Sequence, residues 1–262
     1  MPDRSLKAID QSVAISDPGE VGRSEHTWVD RLVVGVANIS AWLFPLLMVA
    51  IVTQVIIRKM GHNQAWLDDA QWWIYGFAMM VGFAYAITTN SHVRVDILHQ
   101  HFTPLKQARI EIFGLGWLLL PFLGIMTDIL IHYAWSSITA REGSDSPNGL
   151  HMLFLLKTTL PLIFLLSIMA AWAVMVRNMR RVMEPTLWKK VIGALPFVWF
   201  AVDRVFYYIF YWFTRLSNPE LNPRRINREP IFEYTTYLAL AVIVAIIVVG
   251  YMKQRSAAGK DA

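Results

Sequence analysis

The chain has 262 residues, 55% hydrophobic and only 16% charged, with 24 Lys and Arg against 19 Asp and Glu and no cysteine. Soluble domains carry about a quarter charged residues, and a mean hydropathy of +0.40 is far to the apolar side. The lack of cysteine excludes disulfides, thiolate metal sites, iron–sulfur clusters and cysteine nucleophiles. The net charge of +5 does not point to nucleic acid: the basic residues flank apolar blocks, with no Gly-rich phosphate loop and no basic helix with interleaved aromatics. The apolar residues come in blocks of the roughly 20 residues needed to cross hydrocarbon as a helix. The expected fold is therefore all-α, a polytopic membrane helix bundle.

Residues 1–30 are polar and carry Asp3, Asp10, Asp17, Glu20, Glu25 and Asp30. They lack the basic start and apolar core of a secretory signal and read as a flexible cytoplasmic tail. A four-helix membrane domain is expected over 31–181. Its first span runs from about Leu32 to Ile57, with Pro45 placed to kink it and Asn38, Thr53 and Gln54 as polar groups for neighbouring helices. Its second runs from about Gln71 to Thr89, where Ala78, Gly82 and Ala86 recur every four residues. Small residues at that spacing let membrane helices approach closely, within the chain or across a subunit interface. The third runs from about Ile110 to Tyr133, with Asp128 and His132 one turn apart near its far end. A turn region, Ala140 to Gly149, precedes the fourth span, Leu153 to Val176, which ends in Arg177, Arg180 and Arg181.

Residues 182–230 read as an interfacial aromatic helix and a basic loop. Between Leu187 and Phe213 the aromatics are dense, which suits the membrane–water interface, and Asp203-Arg204 falls in the middle, where a charge pair is costly unless sheltered. Residues 231–262 hold a last span, about Ile231 to Tyr251, and a tail. Lys and Arg are concentrated before span one, after span two and after span four, so the N-terminus is expected in the cytoplasm of a multi-pass inner-membrane protein. Five spans place the C-terminus outside and six place it inside; the charge count does not choose.

Asn90 to Leu98 follows span two at the cytoplasmic face. As a helix it puts Val95, Leu98, Phe102 and Leu105 on one stripe and His92, Asp96 and His99 opposite, an amphipathic surface helix with its apolar face in the lipid or against protein. That i, i+4, i+7 spacing also serves metal ligation, but a solvated face or an ion pair of Asp96 is the plainer reading, and no metal or cofactor is expected. His92, Arg94 and Asp96 are candidates for membrane anchoring or subunit contact, together with Ala78, Gly82 and Ala86.

The ordered set of motifs resembles the small membrane subunit (DctQ-like, Q subunit) of tripartite ATP-independent periplasmic (TRAP) transporters. Asp68-Asp69 precedes a Gly/Ala-rich span, His92-Val93-Arg94-Val95-Asp96 matches an HxRxD-like stretch, and Glu142-Gly143-Ser144 to Pro147 leads into Lys157-Thr158-Thr159-Leu160-Pro161. The resemblance covers about Arg31 to Arg181, with Asn90-Ser91 standing where a Gly is common. It implies a scaffold subunit of a sodium-dependent, binding-protein-dependent secondary transporter for organic acids. The implied partners are a large elevator-type (DctM-like) membrane subunit, which uses the sodium, and a periplasmic substrate-binding protein. On that reading the chain is no enzyme and binds no substrate itself. Consistently, the four core spans show no internal repeat and no midplane carboxylate of the kind transport sites use. Asp128, His132, Arg141 and Glu142 are then candidates for periplasmic docking. The alternatives are a histidine-containing membrane redox protein, drawing on His92, His99, His101, His132 and His151, and a stand-alone transporter.

Overall fold

Thr27 opens the first helix with a capping box: its amide and hydroxyl both donate to Asp30 Oδ2 at 2.8 Å, and its Oγ1 faces the Asp30 amide at 3.4 Å. The structure, a computed structural model, describes residues 25–91, 101–226 and 229–258, and no strand occurs among them. Helix α1, Trp28–Ala41, is followed after Trp42 by α2, Leu43–Lys59. The expected kink is realised here as a one-residue break. Pro45 has no N–H, and its ring crowds the carbonyl four residues earlier, that of Ala41, where α1 ends. The two helices still form one apolar stretch of 32 residues.

Helix α3 spans Ala65–Thr89. Two glutamines tie it to α2: Gln71 Nε2 donates to the Ala50 carbonyl and Gln54 Nε2 to the Gln64 carbonyl, both at 3.4 Å. Gln54 is thus used between helices, as its place in an apolar span requires. Helix α4, Pro104–Phe113, passes through a π-helical turn at Gly114–Leu119 into α5, Leu120–Ala140. Helix α6, Leu153–Val182, contains Pro161, which leaves the Lys157 carbonyl without its helical donor. The hydroxyls of Thr158 and Thr159 bond the carbonyls of Phe154 and Leu156 in the same turn, both at 2.7 Å. Beyond lie α7, Leu187–Gly193; α8, Leu195–Ser217; the single turn α9, Pro223–Ile226; a 3-10 turn, Pro230–Tyr234; and α10, Thr235–Ala258.

Three helix ends share one device. The chain turns left-handed at Gly61 (φ 86°), Asn90 (φ 53°) and Arg141 (φ 48°). At each, the next amide reaches back five residues, as Ser91 N–H does to the Ala86 carbonyl at 3.1 Å and Glu142 N–H to the Ser137 carbonyl at 3.1 Å. These are Schellman caps, which favour Gly and then Asn. Asn90 therefore serves where a Gly is the usual residue.

Among the described residues, four helical stretches are long and apolar enough to cross a membrane: Trp28–Lys59, Pro104–Ala140, Leu153–Val182 and Pro230–Ser256. Helix α3, the expected second span, is not among them. Its 25 residues reach about 37 Å, enough to cross, but Gln71, Trp72, Trp73, Tyr75 and Tyr85 make it more polar. The pair α7 and α8, bent by 97°, passes only when taken together.

The chain packs as two units, one of residues up to His101 with Met126–Val174, the other of Phe102–Ile125 with Met175–Ala262. The first centres on Val33, Ala84 and Ala170, fully buried where α1, α3 and α6 meet. Small residues at α3 set that approach: Ala78, Val81, Ala84 and Thr88 are buried. In the second, a Cβ at Gly116 would overlap the Gly193 carbonyl. By contrast a Cβ at Gly82 meets nothing within 4 Å. Gly116→Ala should therefore lower the melting temperature of the detergent-solubilised protein, by an overpacking cost of about 1–3 kcal/mol. Gly82→Ala should leave it unchanged or raise it, since Ala favours helix over Gly by about 1 kcal/mol.

Candidate functional site in the Arg141–Leu150 loop

The loop between α5 and α6 is built by its own backbone and by two acidic side chains. Ser144 N–H donates to the Leu150 carbonyl at 2.9 Å, Gly149 N–H to the Ser146 carbonyl at 2.9 Å, and Ser146 N–H to Ser144 Oγ at 3.2 Å. From α3, Asp69 Oδ2 accepts the Leu150 N–H at 2.9 Å, a bond between residues 81 apart in sequence. Gly149 is required there, because a Cβ would collide with both the Ser144 hydroxyl and the Asp69 carboxylate. At the other side of the loop Lys157 Nζ donates to Glu142 Oε1 in a short ion pair, and it also stands 4.4 Å from the centre of the Tyr133 ring.

The Lys157 ammonium, aided by the Ser137 hydroxyl, holds the Glu142 carboxyl below its ordinary value of 4.5, although some burial works the other way. The loop thus presents an ordered polar surface in which one cation and one anion already neutralise each other. Arg141 is exposed beside them and held in a left-handed conformation that an L side chain disfavours by about 1–2 kcal/mol. Strain of this kind is retained where surrounding structure imposes it, and it concentrates at functional positions.

Three of the motif pieces legible in the sequence come together here: Asp69, the Glu142 to Pro147 loop, and Lys157 at the head of Lys157-Thr158-Thr159-Leu160-Pro161. Asp68 instead pairs with Arg58 at 3.0 Å, an exposed bridge of small energetic weight. Asp128 is partly buried and His132 exposed on α5, which continues past the expected end at Tyr133 to Ala140. Both have interactions of their own. Of the small-residue stripe, Ala78 is buried, Ala86 half-buried and Gly82 exposed. His92, Arg94, Asp96 and His99 lie outside the described residues. Among the described residues no three His, Asp or Glu side chains gather as a metal set. Sequence reasoning missed the bond from Asp69 to Leu150 and the role of Gly149. Asp69 was singled out by its motif, but nothing in the sequence gives its partner.

Apolar helices of spanning length, with no strand among the described residues and a polar loop cap at the helix ends, define a polytopic all-α membrane protein. The family described as tripartite ATP-independent periplasmic transporters, DctQ component, matches residues 47–181, about half of the chain, and the chain belongs to it. It is thus a small permease component of a TRAP transporter. No curated protein and no solved structure matches the chain.

Two predictions follow from the loop. Arg141→Gly relieves the left-handed strain and should stabilise the protein by about 1 kcal/mol, read as a higher melting temperature. If the arginine serves docking, the same variant should lower transport by the assembled complex. For Glu142 the folded pKa is depressed, so its contribution to stability is fully present above the unfolded value and is lost as pH falls through the folded one. The wild type should therefore melt above Glu142→Gln at neutral pH, and the gap should close only below the ordinary carboxylate value of 4.5.

Proposed function

We propose that the chain is the scaffold of a sodium-dependent secondary transporter for organic acids, supporting a large elevator-type membrane subunit and working with a periplasmic substrate-binding protein. The carrying observation is the family match over residues 47–181, which takes in the α3 start, the α5–α6 loop and the head of α6. On this reading the N-terminus is cytoplasmic, the membrane is a bacterial inner membrane, and the α5–α6 loop faces the periplasm. The K/R distribution supports that orientation. Arg141 and Glu142 then form the outward polar surface for the binding protein or the large subunit, with His132 and Asp128 about two to three turns down α5 from it.

The chain itself holds no substrate and catalyses nothing. Its interhelical polar contacts, such as Gln54 to Gln64 and Gln71 to Ala50, serve to join helices. The exposed side of α3 that includes Gly82, with Ala86 beside it, suits close approach of a helix from the large subunit. His92, Arg94 and Asp96 serve as the cytoplasmic anchor at the end of α3, by their sequence position.

Reconstitution tests the proposal. Proteoliposomes with this chain alone should show no sodium-driven uptake of an organic acid, and adding the large subunit with the binding protein should restore it. Uptake by the chain alone would mean a stand-alone transporter. Iron or haem absorption in the purified protein would favour the redox alternative.

A further inference from the structure

The residues after Arg181 lie beyond the family match, and in their unit the helices touch at fixed points. Trp188 on α7 donates its indole N–H to Gln254 Oε1 at 2.8 Å and meets Tyr251 edge-on, with ring centroids 5.9 Å apart. A Cβ at Gly250 would lie 3.0 Å from the Trp188 Cβ. Helix α7, which follows closely on the Arg180-Arg181 end of α6, therefore packs on the last turns of α10. At the other end of α10, Thr236 Oγ1 donates to Asp203 Oδ1 at 3.0 Å, and the Tyr207 and Phe232 rings lie 5.3 Å apart. Helix α8 thus runs antiparallel to α10.

These contacts constrain membrane topology. The stretch Pro230–Ser256 is long and apolar enough to cross. If its last turns are level with the end of α6, its first turn is on the opposite side. The chain must then also cross between Thr186 and Pro230. Helix α8 is the one described helix there of sufficient length, 23 residues or about 34 Å, whereas α9 has 4. We infer that α8 and α10 form a transmembrane hairpin, with α7 lying at the surface as its elbow, so that the C-terminus returns to the side of Arg180 and Arg181. This proposal stands against the surface-lying placement expected for the aromatic segment.

Three further features agree. Gly193 abuts Gly116, and Phe197 and Phe200 pack where a Cβ at Gly124 would sit, at 3.1 and 3.4 Å, so α8 follows the α4–α5 span inward from its start. Tyr and Trp mark both ends, with Trp188 and Tyr251 at one and Tyr207, Tyr208, Tyr211 and Trp212 at the other, as in membrane-interface belts. The Asp203-Arg204 pair is sheltered. Arg204 Nη2 and Nε reach Asp203 Oδ2 at 2.8 and 3.2 Å, and the guanidinium lies 4.6 Å from the Tyr207 ring and 5.7 Å from that of Phe200. With Thr236 on the second carboxylate oxygen, the pair is a net-neutral staple between the two helices. Counts of Lys and Arg do not choose, since Lys253 and Arg255 stand at one end and Arg215 and Arg225 at the other.

The native chain has no cysteine, so single cysteines report sidedness directly. Four variants, Ser146→Cys, Glu184→Cys, Glu220→Cys and Ser256→Cys, are labelled with a membrane-impermeant maleimide in intact and in permeabilised cells expressing the full chain with its large subunit. The hairpin predicts that Glu220→Cys labels with Ser146→Cys, and Ser256→Cys with Glu184→Cys. Any other grouping overturns it; in particular, Glu220→Cys grouping with Glu184→Cys would put α8 on the surface. The absolute sides rest on the orientation proposed above. If the grouping holds but Ser146→Cys is the protected one, that orientation fails and the hairpin stands.

Discussion

Lipid hydrocarbon offers no hydrogen bonds, and the placement of this chain's polar groups follows from that constraint. Where glutamines enter apolar helices they reach carbonyls of the next helix, as Gln71 and Gln54 do between α2 and α3. Where Pro161 interrupts the α6 ladder, threonine hydroxyls bond the carbonyls around it. Where a charge pair falls inside α8, both partners sit on adjacent residues, and the second carboxylate oxygen takes a hydroxyl from α10. An unpaired charge in an apolar helix is costly, and here each charge has its partner on the adjacent residue.

The same constraint drives the chain's polar organisation to the helix ends. The α5–α6 loop is fixed on both sides, by Asp69 of α3 and by Lys157 of α6, and its entry is set by the left-handed Arg141. The loop is thus tied both to α3 and to the helix that follows it, an arrangement that suits the proposed scaffold role. The left-handed position is an exposed arginine in a Schellman cap, where glycine is cheaper.

Helix type and four of the expected spans, the first, third, fourth and last, were legible in the sequence because twenty-residue apolar blocks have few alternatives. Pro45 also marked its break, which falls one turn earlier at Ala41 and Trp42 because the ring crowds the carbonyl four residues back. The small-residue stripe was read only in part. Ala78 does line the α3 interface, but the buried row continues through Val81, Ala84 and Thr88, and Gly82 is exposed. A four-residue repeat does not say which side of a helix finds its partner within the same chain. The loop cap was half legible: its residues carried the family motifs, but a bond across 81 positions has no local signal. In the aromatic segment, density alone suited an interface, and only the contacts of Trp188 and Asp203 with opposite ends of α10 gave it a direction.

The role proposed for the chain is a fixed support for a larger membrane protein. Affinity purification of the tagged chain from mild-detergent extracts of its native membranes tests it most directly. The expected result is a stable complex with one larger, apolar membrane subunit, and binding of an organic acid only when that subunit is present. A chain that purifies alone and binds the acid by itself would contradict it.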